Sequence, residues 1–318
     1  MQKYIVHRIA LMIPTLFGLT FMVFVMVRLY PGDIVALIAG DFGATDESVR
    51  QAVLEEFSLD KNIVEQYALW MGRVLRGDLG HSLISGRTVS GELAARLPVT
   101  FQLGLMALTI SLVVGIPIGI ISAVRQNSAA DYAGRSFAVG MLAAPNFWLA
   151  LILIALAGRY FQWGVPPASY TGITDDPVAN LKFMMVPAII LGASAAGGIM
   201  RFTRTAVLEV LRQDYVRTAW AKGLRERAVV TRHVLRNALI PVITVIGLSI
   251  PNLVGGSVII ESVYSIPGMG RLYITSINTL DFPMVQAINI VDALAVLLAN
   301  LGVDLAYSWI DPRIRYSE

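Results

Sequence analysis

Cysteine is absent from the 318 residues, which excludes disulfides, thiolate metal sites and cysteine nucleophiles. Histidine is scarce: His7, His81 and His233 are the three, and they stand in separate polar stretches. No Gly-x-x-x-x-Gly-Lys-Ser/Thr run occurs, so the chain has no phosphate loop of its own. Charge is in short supply as well. Charged residues make up 15% of the chain and hydrophobic ones 56%, whereas a soluble chain carries about a quarter charged residues. The deficit points to lipid as the main solvent. The net charge of +3 does not indicate nucleic acid, because the basic residues lie between apolar runs.

What is present is a series of such runs. Residues 9–27 form 19 positions without a charge, about the length needed to cross the hydrocarbon core. The run is longer than the apolar region of a signal peptide and has no small-residue cleavage site, so it reads as an uncleaved first span. Further spans are expected at 99–124, 136–157, 183–200, 238–260 and 284–309. The second holds Gly115-Ile-Pro-Ile-Gly119, suited to close approach or a bend. The third holds Pro145-Asn146, where proline removes a donor and Asn146 is placed to satisfy a freed backbone group. The fourth holds seven small residues, Gly192 to Gly198, around Ser194. Small side chains serve tight helix packing or leave room for a passage. The fifth carries Pro241, Gly247, Pro251, Gly255 and Gly256, which suggests a kinked, movable helix.

The fold class is therefore an all-α integral membrane protein with six transmembrane helices. The organisation reads as a cytoplasmic end and first span (1–30), an extracytoplasmic segment (31–97), a five-helix core (98–310) and a cytoplasmic tail (311–318). Within 31–97, ten acidic and six basic residues mix. Short helices are expected at 48–57 and 63–75, and turns at Gly77-Asp-Leu-Gly80 and Ser85-Gly-Arg87. Lys and Arg set the orientation. The expected inner segments hold Lys3 and Arg8, Arg125 and Arg135, nine cations from Arg201 to Arg236, and Arg313 and Arg315; the short outer loops hold Arg159, Lys182 and Arg271. By the positive-inside rule both termini lie in the cytoplasm. His81 then lies across the membrane from His7 and His233, so no histidine metal cluster can form.

The segment 201–237 is the longest inner stretch. Apolar residues recur at helical spacing from Ala206 to Ala221, Gly223 suits a helix stop, and a second helix is expected at 226–236. From the residues alone, this is either an ordinary basic inner loop or a projection that meets a cytoplasmic partner. A nucleic-acid patch does not fit, since few stacking aromatics accompany the charges.

The run Asp214-Tyr-Val-Arg-Thr-Ala-Trp-Ala-Lys-Gly223, followed by His233-Val-Leu-Arg-Asn-Ala-Leu-Ile-Pro241, resembles the signature of the permeases of binding-protein-dependent ABC importers. Those carry Glu-Ala-Ala, three residues and Gly, then a Leu-Pro. Here Arg217-Thr218-Ala219 stands in place of Glu-Ala-Ala, and Pro241 follows Gly223 by 18 positions. Both departures resemble the dipeptide/oligopeptide/nickel branch. Pro31-Gly-Asp33, Gly77-Asp-Leu-Gly-His-Ser82, Arg96-Leu-Pro98, Pro145-Asn-Phe-Trp148, Glu261-Ser-Val-Tyr-Ser-Ile-Pro-Gly-Met-Gly-Arg271 and Asp311-Pro-Arg313 are similar to that branch in the same order. The chain most resembles its B-type peptide permease subunit.

The resemblance implies a type I ABC importer permease fold in a bacterial inner membrane and a non-catalytic subunit with no cofactor of its own. It implies a homologous second permease, two cytoplasmic ATPases holding ATP and Mg2+, and an extracytoplasmic substrate-binding protein that delivers peptide. Coupling to the ATPases is expected at Asp214, Tyr215, Arg217, Thr218, Ala219, Ala221, Lys222, Gly223 and Leu224, with Ala219 against an ATPase groove and Gly223 making the turn. Within the outer loop 262–282, contact with the binding protein is expected at Ser265, Ile266, Pro267, Gly268, Met269, Gly270 and Arg271, where a plain turn is the alternative. Asn146, Ser194, Asn289 and Asp292 are candidates for lining the path. Asn289, Asp292, Asn300 and Asp304 fall within about 120° of arc on the sixth span, and such residues face a bundle or cavity. An ion-coupled secondary transporter would show an inverted repeat, which is not evident. An intramembrane enzyme would need a convergent nucleophile and base, which these spans do not supply. Nickel, glutathione and sugars are further cargoes of similar permeases.

Overall fold

Apolar runs become long helices because an unpaired backbone group in hydrocarbon costs several kcal/mol, and a helix satisfies its own. The computed structural model describes residues 2–29, 51, 58, 60–161 and 170–310, without side chains at 2–5, 161, 248–256, 304 and 306–310. The helices are α1 (Gln2–Arg28), α2 (Ile63–Val74), α3 (Val89–Val124), α4 (Ala129–Ala143), α5 (Asn146–Leu156), α6 (Pro177–Leu211), α7 (Asp214–Ala221), α8 (Leu235–Val263), α9 (Met269–Asn278) and α10 (Phe282–Ile310). Among the described residues the one β feature is an isolated bridge between His81 and Thr88. Helix starts follow local chemistry. The Asn62 side chain accepts from the N–H groups of Val64 and Glu65 to open α2, and Asp176 does the same for Val178 and Ala179 ahead of Pro177 in α6. A side-chain acceptor at this position satisfies donors that the helix leaves free.

Among the described residues, five helices are long and apolar enough to cross a membrane: Val6–Arg28, Val89–Val124, Pro177–Leu211, Glu226–Gly247 and Phe282–Val303. The pair Ala129–Ala143 and Asn146–Tyr160 counts as a sixth span if taken together, but it bends by 98°. The third span expected at 136–157 is thus not one straight helix. Pro145 forces Ala144 into an extended conformation, ψ 121°, and α5 begins afresh at Asn146, as the proline ring and missing N–H require. The 35 residues of α6 cover about 50 Å at 1.5 Å each, against about 30 Å of hydrocarbon. This helix therefore continues well past the expected span at 183–200.

Three other expectations change. The single helical pattern from 206 to 221 breaks at Arg212, between α6 and α7. No separate helix closes at 236: the turn Glu226–Ala228 passes through a π-helical stretch, Val229–Val234, straight into α8. The loop expected at 262–282 contains α9. The expected turns hold, with Gly77, Gly80 and Gly86 at positive φ. The helix expected at 48–57 falls outside the described residues except for position 51, and the tail 311–318 lies wholly outside them.

The chain divides into two compact units, Met1–Pro98 with Leu272–Leu297, and Val99–Arg271 with Leu298–Glu318. In the first, α1 packs on α2 through Phe21, Phe24, Tyr67 and Trp70, with ring centres 5.1 to 5.9 Å apart. Tyr67 Oη also donates to the Phe17 carbonyl at 3.0 Å. The second unit has two apolar cores. One holds Leu103, Met184, Leu191, Ile260 and Tyr264, from the start of α3 and α6 and the end of α8. The other holds Ala123, Val207 and Val242 from the opposite ends of the same helices, with Val216 and Ala219 of α7 and Val234 of the π-helical stretch. Helix α7 packs at that second end.

Candidate functional site

Helix α7 is a short amphipathic piece whose inward residues are Val216 and Ala219, three apart and therefore on one face. Both are buried with Val207, Val229 and Val234. Its end is a Schellman closure. The Gly223 N–H donates to the Trp220 carbonyl at 2.9 Å and the Leu224 N–H to the Ala219 carbonyl at 3.4 Å. Gly223 holds φ at +75°, and nothing lies within 4 Å of where its Cβ would be. Conformation, not space, selects glycine here.

Tyr215 and Trp220, exposed at 43 and 42%, flank that inward pair on its two sides, and Leu224, exposed at 40%, follows the closing Gly223. Around them Asp214, Arg217, Thr218, Ala221 and Lys222 are also exposed. Asp214 and Arg217 pair at 3.3 Å, but two solvated side chains stabilise each other little. Asn237 Nδ2 donates to Tyr215 Oη at 2.8 Å, which ties α7 to α8. Ala219 is placed differently from the expectation. At 6% exposure it faces the chain's own core, so its small size is explained by internal packing, and the face opposite it is formed by Asp214, Arg217, Thr218 and Ala221.

The stretch from Ser265 to Arg271 closes around a buried carboxylate. Glu261 is fully buried. Its Oε1 accepts from Thr100 Oγ1 at 2.8 Å and its Oε2 from the Arg271 N–H at 3.1 Å; Ser257 and the Gly270 N–H donate to it as well. The Met269 N–H donates to Thr100 Oγ1 at 2.8 Å. Glu261 and Thr100 thus satisfy the first N–H groups of α9, the role a capping side chain plays. A Cβ on Gly268 would lie 2.4 Å from Glu261 Oε2, and one on Gly270 2.5 Å from Val258 Cα. Ile266, Gly268, Met269 and Gly270 are buried, Pro267 is half-buried, and Ser265 and Arg271 are exposed. The Arg271 guanidinium donates to the Ser265 carbonyl at 2.8 Å. The Tyr264 hydroxyl has no partner among the described residues, and burial pushes its pKa up to about 12.

Of the four path candidates, Asn146 and Ser194 belong to the second unit and Asn289 and Asp292 to the first. Asn146 opens α5, with a buried Oδ1 that accepts from no described residue. Ser194 is half-buried in α6. Asn289 Nδ2 donates to Tyr273 Oη at 3.2 Å and to the Val285 carbonyl at 2.7 Å, which is bonding between α9 and α10. Asp292 is half-buried on α10. The small-residue run packs tightly: a Cβ on Gly192 would meet the Ala107 carbonyl oxygen at 2.7 Å, and one on Gly197 the Ala138 carbonyl oxygen at 2.9 Å.

Sequence reasoning missed one structural centre. Asp131 is fully buried and takes Arg204 Nε on Oδ1 and Nη2 on Oδ2, both at 2.8 Å. Ser122 Oγ also donates to it, as does the Asn127 N–H at 3.0 Å. This links the turn between α3 and α4 to the end of α6 that leads into α7. The one available signal was a lone acid among the cations of 125–135.

Known proteins align with this geometry. A family profile described as "Binding-protein-dependent transport system inner membrane component" matches residues 115–316. The oligopeptide transport system permease protein AppB of Bacillus subtilis is 37% identical over 318 residues, covering 99% of this chain and all of that one. The dipeptide transport system permease protein DppB of Escherichia coli is 36% identical over 342 residues and covers both chains fully. A solved structure of the MetNI methionine ABC transporter in an inward-facing conformation matches with a TM-score of 0.53 at 17% identity, over 69% of this chain and 96% of that one. At that identity the likeness concerns the fold alone. The full-length relatives and the profile agree with the helical membrane architecture: this chain belongs to the inner membrane permease components of binding-protein-dependent transport systems.

Proposed function

We propose that the chain is the permease subunit of an ATP-driven peptide importer, in which α7 receives force from a separate ATPase. The observation that carries the reading is that Tyr215 and Trp220 stand exposed on the two flanks of α7, beside its polar outer face, on a helix fixed from behind by Val216 and Ala219. Exposed aromatic anchors on a rigid mount are suited to docking. Relatives named for oligopeptide and dipeptide transport support peptide as cargo.

ATP and Mg2+ belong to two partner ATPases, a homologous second permease completes the path, and a binding protein delivers the peptide. ATP binding would bias the permease pair between two global states. The chain itself carries out no hydrolysis.

The test is uptake of a labelled dipeptide into vesicles holding the whole transporter. Uptake should require ATP and the binding protein and be lost in Trp220→Ala with the protein still inserted. Uptake by this chain alone, driven by an ion gradient, would overturn the proposal.

A further inference from the structure

Arg28 is the last residue of α1 and follows its long apolar run. Its Nε donates to Gln66 Oε1 at 3.1 Å, and its guanidinium carbon lies 4.0 Å from the centre of the Phe24 ring. Its two terminal nitrogens donate to no described residue. On α2, the Arg73 side chain makes no hydrogen bond or ion pair with a described residue, and its charge is close enough to act on Arg28. Both arginines line a cavity of about 240 Å³.

Gln286 of α10 lines the same cavity, is 4% exposed, and has an Nε2 with no acceptor among the described residues. The carboxylate in the wall, Asp78, accepts from the Gly80 N–H at 2.9 Å. Two arginines against one carboxylate leave the wall net positive, and with an unsatisfied buried donor beside them this is costly unless an acceptor with negative charge arrives. A guanidinium fork matches phosphate oxygens well.

A second cavity of about 260 Å³ lies on the neighbouring residues of the same helices, with Val27 next to Arg28 and Val285 next to Gln286. Its wall is mostly apolar, including Val23, Met26, Ile277 and Leu280, with Ser276 and Asn289 as polar members. A cationic end beside an apolar groove, at the end of a membrane-crossing helix and with Trp70 in the wall, is the arrangement of the membrane–water interface.

We propose that the Arg28, Arg73 and Gln286 cavity binds the phosphodiester headgroup of a membrane phospholipid, with an acyl chain in the adjoining groove. The site holds lipid to the first unit, independently of what the transporter carries.

Native mass spectrometry of the full-length chain, delipidated in detergent and titrated with phosphatidylglycerol, tests this. The wild type should keep one phosphatidylglycerol per chain and no diacylglycerol, which lacks the phosphate. Arg73→Gln should weaken retention by about tenfold or more, the loss expected for a charged hydrogen bond, and Arg73→Lys by less. Gln286→Met, close in shape, should weaken it too and decides the matter if Arg73→Gln fails a circular dichroism check. Equal retention by the wild type and the folded variants would overturn the proposal. So would displacement of the lipid by inorganic phosphate or by a dipeptide at matched concentration, since either would make this a site for a free anion.

Discussion

Glu261 caps the helix to which Arg271 belongs. Its Oε2 accepts the Arg271 N–H at 3.1 Å while its Oε1 takes Thr100 Oγ1 at 2.8 Å. One buried carboxylate therefore joins the end of α8, the start of α9 and the second unit's part of α3. The glycines at 268 and 270 are what let the chain pass so close to it.

Removing that carboxylate should unfold the junction. Glu261→Ala would leave the Thr100 and Ser257 hydroxyls and two backbone N–H groups without their acceptor. Each orphaned buried group costs about 1–3 kcal/mol, so a loss of about 3 kcal/mol or more is expected. Glu261→Gln keeps the shape and one acceptor and should lose less. Thermal unfolding in detergent ranks the three proteins. Equal midpoints for wild type and Glu261→Ala would show that the cap contributes nothing.

The two faces of α7 should separate stability from coupling. Ala219→Leu forces a large side chain into a filled core, at about 1–3 kcal/mol, and should lower the unfolding temperature. Trp220→Ala should leave that temperature unchanged and abolish peptide-stimulated ATP hydrolysis in the assembled transporter. The opposite pattern, a stable Ala219→Leu and an unstable Trp220→Ala, would mean that the face assignment is inverted.

Gly223 is a conformational requirement, and its substitutions should follow conformational cost. Gly223→Ala places a Cβ residue at φ +75°, at about 1–2 kcal/mol. Gly223→Asn should cost less, since asparagine tolerates the left-handed region. If space were the constraint, the larger asparagine would be the worse of the two in thermal unfolding.

Much of this architecture could be read from residue order. Charge-free runs of about 20 residues have few readings besides spans, and Gly223 marked its own turn. Pro145 was visible, but its 98° consequence was not, because packing decides whether a proline kinks or ends a helix. The loop at 265–271 looked like an outward surface because it is rich in turn residues. Four of its seven residues are buried because Glu261, ten positions before Arg271, and Thr100, on another helix, accept from its N–H groups. Asp131 and Arg204 are 73 positions apart, and nothing in either neighbourhood says that these two charges meet.

That pair supplies a charge prediction. Arg204→Met would strand a fully buried Asp131, and breaking one partner of such a pair costs about 3–5 kcal/mol. The double variant Asp131→Asn with Arg204→Met removes both charges and should recover much of the loss. Melting of the two single variants and the double one gives the coupling directly. Simple additivity would mean that the two side chains do not act as a pair.

The last prediction concerns how closely α3 and α6 cross. A Cβ on Gly192 would fall 2.7 Å from the Ala107 carbonyl oxygen and 2.9 Å from Ile110 Cβ, and backbone cannot yield as a flexible side chain does. Gly192→Ala should therefore push the helices apart and destabilise the second unit, although alanine is the better helix former. Gly198, on the same helix, has nothing within 4 Å of its own Cβ position. Gly198→Ala should be neutral or stabilising by up to about 1 kcal/mol. The comparison holds helix propensity constant and varies only the neighbour. A Gly192→Ala protein that melts no lower than Gly198→Ala would show that the small-residue run is not there for packing, and would return it to the candidates for lining a passage.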